Sequence, residues 1–179
     1  MKTILFVARL ALTLLAITAV VAVALAGVNM ITAPAIAELN AQNTQAAIEA
    51  VLPGGGTEMA DFPAVDLVSK VYASDAGYAV QVTPGGFDNT ITMMVGVDKA
   101  GNVLGIDVVS HTETAGLGAV SDADTPAGIA FREQFIGAAG SVSVTKDGGQ
   151  MDAITGATIT SRAVCAGVNA ALECVAQMG

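Results

Sequence analysis

The stretch from Leu10 to Val28 contains only apolar, small or threonine residues and no charge. At about 1.5 Å per helical residue it is long enough to cross a hydrocarbon core of roughly 30 Å. This is the tightest constraint on the chain, because a segment that spans a membrane must be a helix that satisfies its own backbone. Lys2 and Arg9 precede it, and the first charge after it is Glu38. The positive-inside rule therefore predicts a cytoplasmic N-terminus, residues 1–9, a transmembrane helix over 10–28, and an extracytoplasmic remainder. A cleaved signal peptide is the rival reading, since Ala24-Leu25-Ala26 resembles a small-residue cleavage site, but the apolar run exceeds the usual h-region of about 7 to 15 residues. Its length favours a retained single-pass anchor.

Everything acidic lies beyond that anchor. All 16 Asp and Glu residues fall there with five of the seven basic ones, so the exported part carries a formal charge of about −11. That balance excludes nucleic acid as a partner and argues against docking on anionic lipid through a basic patch. About 150 residues remain, enough for one domain with its own core. Cys165 and Cys174 are nine residues apart in a helical pattern, roughly 13 Å along the axis and on opposite faces, so they are not expected to bridge. With no Cys-x-x-Cys and a single histidine, no metal or haem site is indicated.

A helix-period pattern over Ile36, Leu39, Ala46, Ala47, Ile48, Val51 and Leu52 ends at Pro53-Gly54-Gly55-Gly56, giving a juxtamembrane helix and linker over 29–56. A domain over 57–179 follows, opening in a loop-rich stretch from Thr57 to Ser69. Short strands at Val71 to Ala73 and Tyr78 to Thr83 flank a turn at Asp75-Ala76-Gly77, and a second hairpin joins Thr90 to Asp98 with Val103 to Ser110. A helical segment around Ile129 to Ile136, a strand at Val142 to Thr145 and a helical pattern to the C-terminus complete the chain. The order implies an α+β fold: a transmembrane helix, then one domain with a mainly antiparallel sheet and flanking helices. The last helix carries an apolar stripe of Val164, Val168, Leu172 and Val175, which predicts that it packs on the core.

Chemistry concentrates in Asp152-Ala153-Ile154-Thr155-Gly156-Ala157-Thr158-Ile159-Thr160. Thr155 and Thr158 place hydroxyls where a helix begins, Gly156 lets a backbone approach a ligand, and the helix turns free N–H groups and a positive dipole end toward an anion. An ordinary capped turn has the same composition. No Gly-x-x-x-x-Gly-Lys-Ser/Thr loop and no dinucleotide fingerprint occurs, which leaves a helix-start phosphate site with a reactive hydroxyl. A second cluster, His111-Thr112-Glu113-Thr114-Ala115-Gly116-Leu117-Gly118, offers hydrogen-bonding side chains in Glu113 and Thr114. Gly116 and Gly118 allow a tight turn, and Leu117 offers an apolar face to a flat ligand. His111 lacks a nucleophile partner or second metal ligand, and no catalytic triad can be assembled around it.

The spacing Asp-x-x-Thr-Gly-Ala-Thr resembles the flavinylation motif of the RnfG and NqrC family of membrane redox subunits. The segment from His111 to Gly118 is similar to that family's His-x-Glu-Thr-Pro-Gly-Leu-Gly, with Ala115 standing where the family has Pro. The resemblance implies covalent FMN held by a phosphoester to Thr158. It implies a cofactor site comprising Glu113, Thr114, Gly116, Leu117, Gly118, Asp152, Thr155, Gly156 and Ala157, with Asp152 read by the modifying enzyme. It further implies an electron-carrying subunit of a cell-membrane Rnf-type complex that couples electron transfer between ferredoxin and NAD to Na⁺ or H⁺ transport, with the complex's other subunits as partners. An exported flavin transferase using FAD and Mg²⁺ is the implied installer. Two alternatives stay open: a free-standing anchored flavoprotein, and a non-redox anchored protein whose Thr-Gly-Ala-Thr only caps a helix.

Overall fold

The structure is a computed structural model and describes residues 2–178. The chain divides into two compact units, residues 1–42 and 43–179. Helix α1, Lys2–Val51, supplies the first unit. Its apolar side chains from Phe6 to Ile36 are exposed, and among the described residues it is the one helix long and apolar enough to cross a membrane. The hydroxyls of Thr13, Thr18 and Thr32 donate to carbonyls of the preceding turn, those of Leu10, Leu14 and Val28, at 2.8 to 3.0 Å. These bonds hide the polar atoms a lipid core would penalise. Pro34 sits inside the helix and withholds one N–H from the ladder.

The second unit is built on a five-stranded antiparallel meander in the order β1 (Thr57–Glu58), β2 (Val68–Ala73), β3 (Gly77–Val82), β4 (Thr92–Asp98) and β5 (Val103–Ser110). Both predicted hairpins form. Val71 pairs with Val80, Val80 with Val95, and Val95 with Ile106. Alternation therefore sends one valine-rich row to a single face. Helix α3, Thr158–Met178, lies on that face and buries Val164, Val168, Ala171, Leu172 and Val175 against it. A side chain at Gly167 would press on Val82, Met93 and Pro84 at 3.0 to 3.1 Å, so the helix approaches the strands where it has none. Each fully buried Val or Leu contributes roughly 1.5–3 kcal/mol to holding this helix on the sheet. Cys165 and Cys174 are both buried and unbridged.

The opposite face is covered by the end of α1, whose Ala47, Ile48 and Val51 pack with Leu52 on Tyr72, Ala79 and Met94. Helix α2, Pro126–Glu133, begins earlier than the predicted Ile129. The Thr125 hydroxyl accepts from the Gly128 N–H at 3.2 Å and Pro126 holds the first helical position. Its Phe131 meets Phe135 edge to face at 5.6 Å.

The strand expected at Val142 to Thr145 does not form. Val144 makes one isolated parallel bridge to Met151, and a 3-10 turn covers Thr145–Asp147. The reason is a side chain: Asn169 of α3 accepts from the Val142 N–H at 2.8 Å and donates to its carbonyl at 2.9 Å, replacing a strand partner.

Candidate functional site

The site is assembled from the start of α3 outward. The Ala157 N–H donates to the Ile154 carbonyl at 2.9 Å, closing a four-residue turn with Gly156 at φ 79°. Thr155 is not among the positive-φ residues, which makes the turn type II and explains a glycine at its third position. Ser161 stitches this turn to the helix: its hydroxyl accepts from the Ile154 N–H and donates to the Ala157 carbonyl, both at 3.0 Å. The first ladder bond runs from the Ser161 N–H to the Ala157 carbonyl at 3.0 Å. Ala157 is thus the capping residue, and it has no side-chain acceptor to offer the helix start. Thr155 lies two positions too early to cap. The N–H groups of Thr158, Ile159 and Thr160 consequently have no partner among the described residues.

The second cluster folds back onto this helix start. The Leu117 N–H donates to the Thr114 carbonyl at 3.1 Å with Gly116 at φ 76°, another turn with its glycine where φ is positive. Glu113 is buried yet fully engaged: Oε1 accepts from the Phe87 N–H at 2.7 Å and Oε2 from the Thr160 hydroxyl at 2.7 Å. One carboxylate therefore ties together the loop at residue 87, the loop after β5 and the first turn of α3. Gly86 and Gly118 leave room for it, since a Cβ at either would overlap a Glu113 carboxylate oxygen. His111 serves the same loop, its Nδ1 accepting from the Glu113 N–H at 3.1 Å while Nε2 lies 3.6 Å from Asp122.

Between these segments lies a half-open cavity of ≈ 260 Å³. Of the residues singled out from the sequence, Glu113, Thr114, Leu117, Gly118, Gly156, Ala157 and Thr158 line it. Gly116, Asp152 and Thr155 line a neighbouring hollow of ≈ 460 Å³ instead, with Phe131 and Gln134. Gln134 clasps the Asp152 backbone through its amide, accepting at 2.7 Å and donating at 3.1 Å, which leaves the Asp152 side chain exposed. Sequence reasoning missed four lining residues: Phe87, Lys146, Ile159 and Thr160. Lys146 comes from the 3-10 turn and its Nζ donates to Thr158 Oγ1 at 3.0 Å. Phe87 and Ile159 are 66% and 49% exposed, and with Leu117 at 43% they edge the cavity with apolar surface. The Gly85-Gly86 pair before an aromatic was a signal for Phe87, whereas nothing in the spacing from Lys146 to Thr158 announces their contact. Beside Lys146, Arg162 grips Asp147 through two bonds of 2.7 Å. That hydrogen-bonded guanidinium holds the Asp147 carboxyl below the usual carboxylate range, and Asp147 in turn raises Arg162.

The FMN-binding domain family model matches residues 86–173, a span containing every residue that lines the smaller cavity. The G subunit of the Na⁺-translocating ferredoxin:NAD⁺ oxidoreductase complex of Acetobacterium woodii is 33% identical over 192 residues, covering 92% of this chain and 89% of that protein. This chain belongs to the RnfG family. The G subunit of the ion-translocating oxidoreductase complex of Vibrio vulnificus is 41% identical over 97 residues, 52% of this chain and 46% of that protein. Its Pseudomonas aeruginosa counterpart is 36% identical over 117 residues, 63% of this chain and 55% of that protein. The matches thus take in about half the length of these two relatives. In this RnfG-family chain the FMN-binding region lies within the unit holding the cavity, and the apolar helix precedes it.

Proposed function

We propose that this protein is the electron-carrying subunit of a membrane-bound Rnf-type complex and bears FMN as a phosphoester on Thr158. The observation that carries this reading is the head of α3. Thr158 lines the cavity at a helix start whose first three N–H groups have no partner among the described residues and whose cap is alanine, an arrangement that suits an added anion. The residues fit the rest of the group as well. Phe87, Leu117 and Ile159 expose apolar surface around the same cavity, enough to cover part of a flat aromatic ring. When bound, the flavin would supply reversible one- and two-electron chemistry. The protein's part is to hold and orient it: Thr158 and the N–H groups at its phosphate, the apolar rim at its ring, and Glu113 keeping both loops in place.

The complex would couple electron transfer between ferredoxin and NAD to Na⁺ or H⁺ movement; the name of the Acetobacterium relative gives ferredoxin, NAD⁺ and Na⁺ for that protein. In this reading residues 1–9 are cytoplasmic, 10–28 span the membrane, 29–56 link the span to the domain, and 57–179 form an extracytoplasmic FMN-binding domain. The exposed Asp152 carboxylate and Thr155 would face an exported FAD-dependent flavin transferase, the second partner. Co-expression of the full chain with such a transferase, then denaturing electrophoresis with in-gel flavin fluorescence, tests the attachment. Wild type is expected to fluoresce and Thr158→Ala to stay dark; a dark wild type or a fluorescent Thr158→Ala chain would overturn it.

A further inference from the structure

Lys146 has no place in the motif, yet its ammonium touches the oxygen that would carry the phosphorus. We propose that Lys146 is the positioning counter-ion of the phosphoester, and that the Asp147–Arg162 pair is the clasp that holds it there. This rests on the reading of Thr158 as the attachment residue.

The backbone under Lys146 is fixed by its own bonds. Thr145 N–H donates to the Met151 carbonyl at 2.9 Å, Asp147 N–H to Val144 at 2.8 Å, and Met151 N–H to Ser143 at 3.1 Å. Gly148 closes the turn at φ 85°, and a Cβ at Gly149 would overlap the Ser143 carbonyl. Arg162 stands four residues after Thr158, on the same face of α3. Its two-bond grip on Asp147 therefore draws the turn against the helix start and brings Lys146 to Thr158. A carboxylate at residue 147 beside an incoming anion is otherwise hard to account for, because by charge alone it would repel it. An exported part with a formal charge of about −11 needs such a local cation to receive another negative group.

The chemistry requires one charge there. In transfer from a flavin dinucleotide, Thr158 Oγ forms a bond to the FMN-side phosphorus, the pyrophosphate P–O bond breaks, AMP leaves and the hydroxyl proton passes to solvent. The phosphodiester left on Thr158 carries one negative charge, matched by one ammonium and the helix start. Lys146 stabilises the developing negative charge on Oγ and then the diester.

The test is the initial rate of flavin incorporation into the full chain by a flavin transferase and FAD, read by in-gel fluorescence, with melting curves confirming that each variant is folded. Lys146→Ala is expected to slow labelling roughly tenfold, the size of one lost charge-assisted hydrogen bond. Lys146→Arg should restore most of it, and Lys146→Glu should fall below Ala. Equal rates for Arg and Glu variants would overturn a charge role. Asp147→Asn separates clasp from field: loss of the clasp slows labelling, whereas removal of a repelling carboxylate would speed it. A faster Asp147→Asn chain overturns the clasp. A wild type that never labels would instead sink the Thr158 reading beneath this one, and unchanged labelling in Lys146→Ala beside a labelled wild type sinks the counter-ion alone.

Discussion

At the scale of single residues the candidate site is organised by glycines as much as by hydroxyls. Because Gly118 leaves the space that Glu113 and Thr160 occupy, Gly118→Ala must push apart the carboxylate that joins three segments. Overpacking of this kind costs about 1–3 kcal/mol. The expected outcome is a lower melting temperature together with weak flavin labelling, and a fully labelled, equally stable Gly118→Ala chain would contradict the tie. Ala115 allows the opposite experiment. It occupies the second position of the turn closed by Leu117, it is not among the positive-φ residues, and its N–H donates to no described group. Proline suits that position, so Ala115→Pro is expected to stabilise the fold by about 0.4–1 kcal/mol by restricting the unfolded chain; urea unfolding measures it. The residues pointing to this site were legible where the chemistry is local, as in Thr158 and Gly156. Lys146 was not, because tertiary packing alone brings it to the cavity, and Phe87 had only the Gly85-Gly86 pair before it as a local signal.

Elements show the same division. Hairpins and the stripe of α3 follow from period-2 and helical patterns carried within each segment, so they could be read from the chain. Val142 to Thr145 has a strand's composition, but a long-range partner, Asn169, takes its backbone bonds. The docking of α1 is similarly non-local. A Cβ on Gly96 of β4 would overlap the Val51 carbonyl and lie 3.0 Å from its Cβ, so the glycine sets the distance between helix end and sheet. Gly96→Ala should therefore speed hydrogen exchange at residues 47–52 while amides of β3 stay protected; unchanged exchange at 47–52 would refute this. On the neighbouring strand, burial pushes the Asp107 carboxyl up, with Asp122 and Asp124 adding to the effect and Arg132 opposing it. A raised carboxyl favours the protonated folded state, so its stabilising effect is complete below the unfolded value of about 3.9 and is lost as pH rises through the higher folded one. Asp107→Asn is accordingly expected to raise the melting temperature at neutral pH, with the gain fading toward pH 4; a gain that grew on acidification would reverse the assignment.

For the whole molecule, the open variable in the proposal is the side of the membrane on which the FMN-binding unit lies. Lys2 and Arg9 before an uncharged span, set against an acid-rich remainder, argue for export. The protein's own cysteines make a clean assay possible. Cys165 and Cys174 are buried in α3, and burial pushes the Cys165 thiol up to about 11 and Cys174 upward as well, so neither offers appreciable thiolate to a reagent at neutral pH. Lys99 is exposed in the turn between β4 and β5, away from the cavity. In right-side-out membrane vesicles at pH 7, a membrane-impermeant maleimide should label Lys99→Cys and leave the wild type unlabelled, while both native thiols react once the chain is denatured. Labelling of Lys99→Cys that appears only after permeabilisation would place the FMN-binding unit on the cytoplasmic side. An exported transferase would then have no access to Thr158, so this result would remove the proposed route of flavin attachment along with the topology.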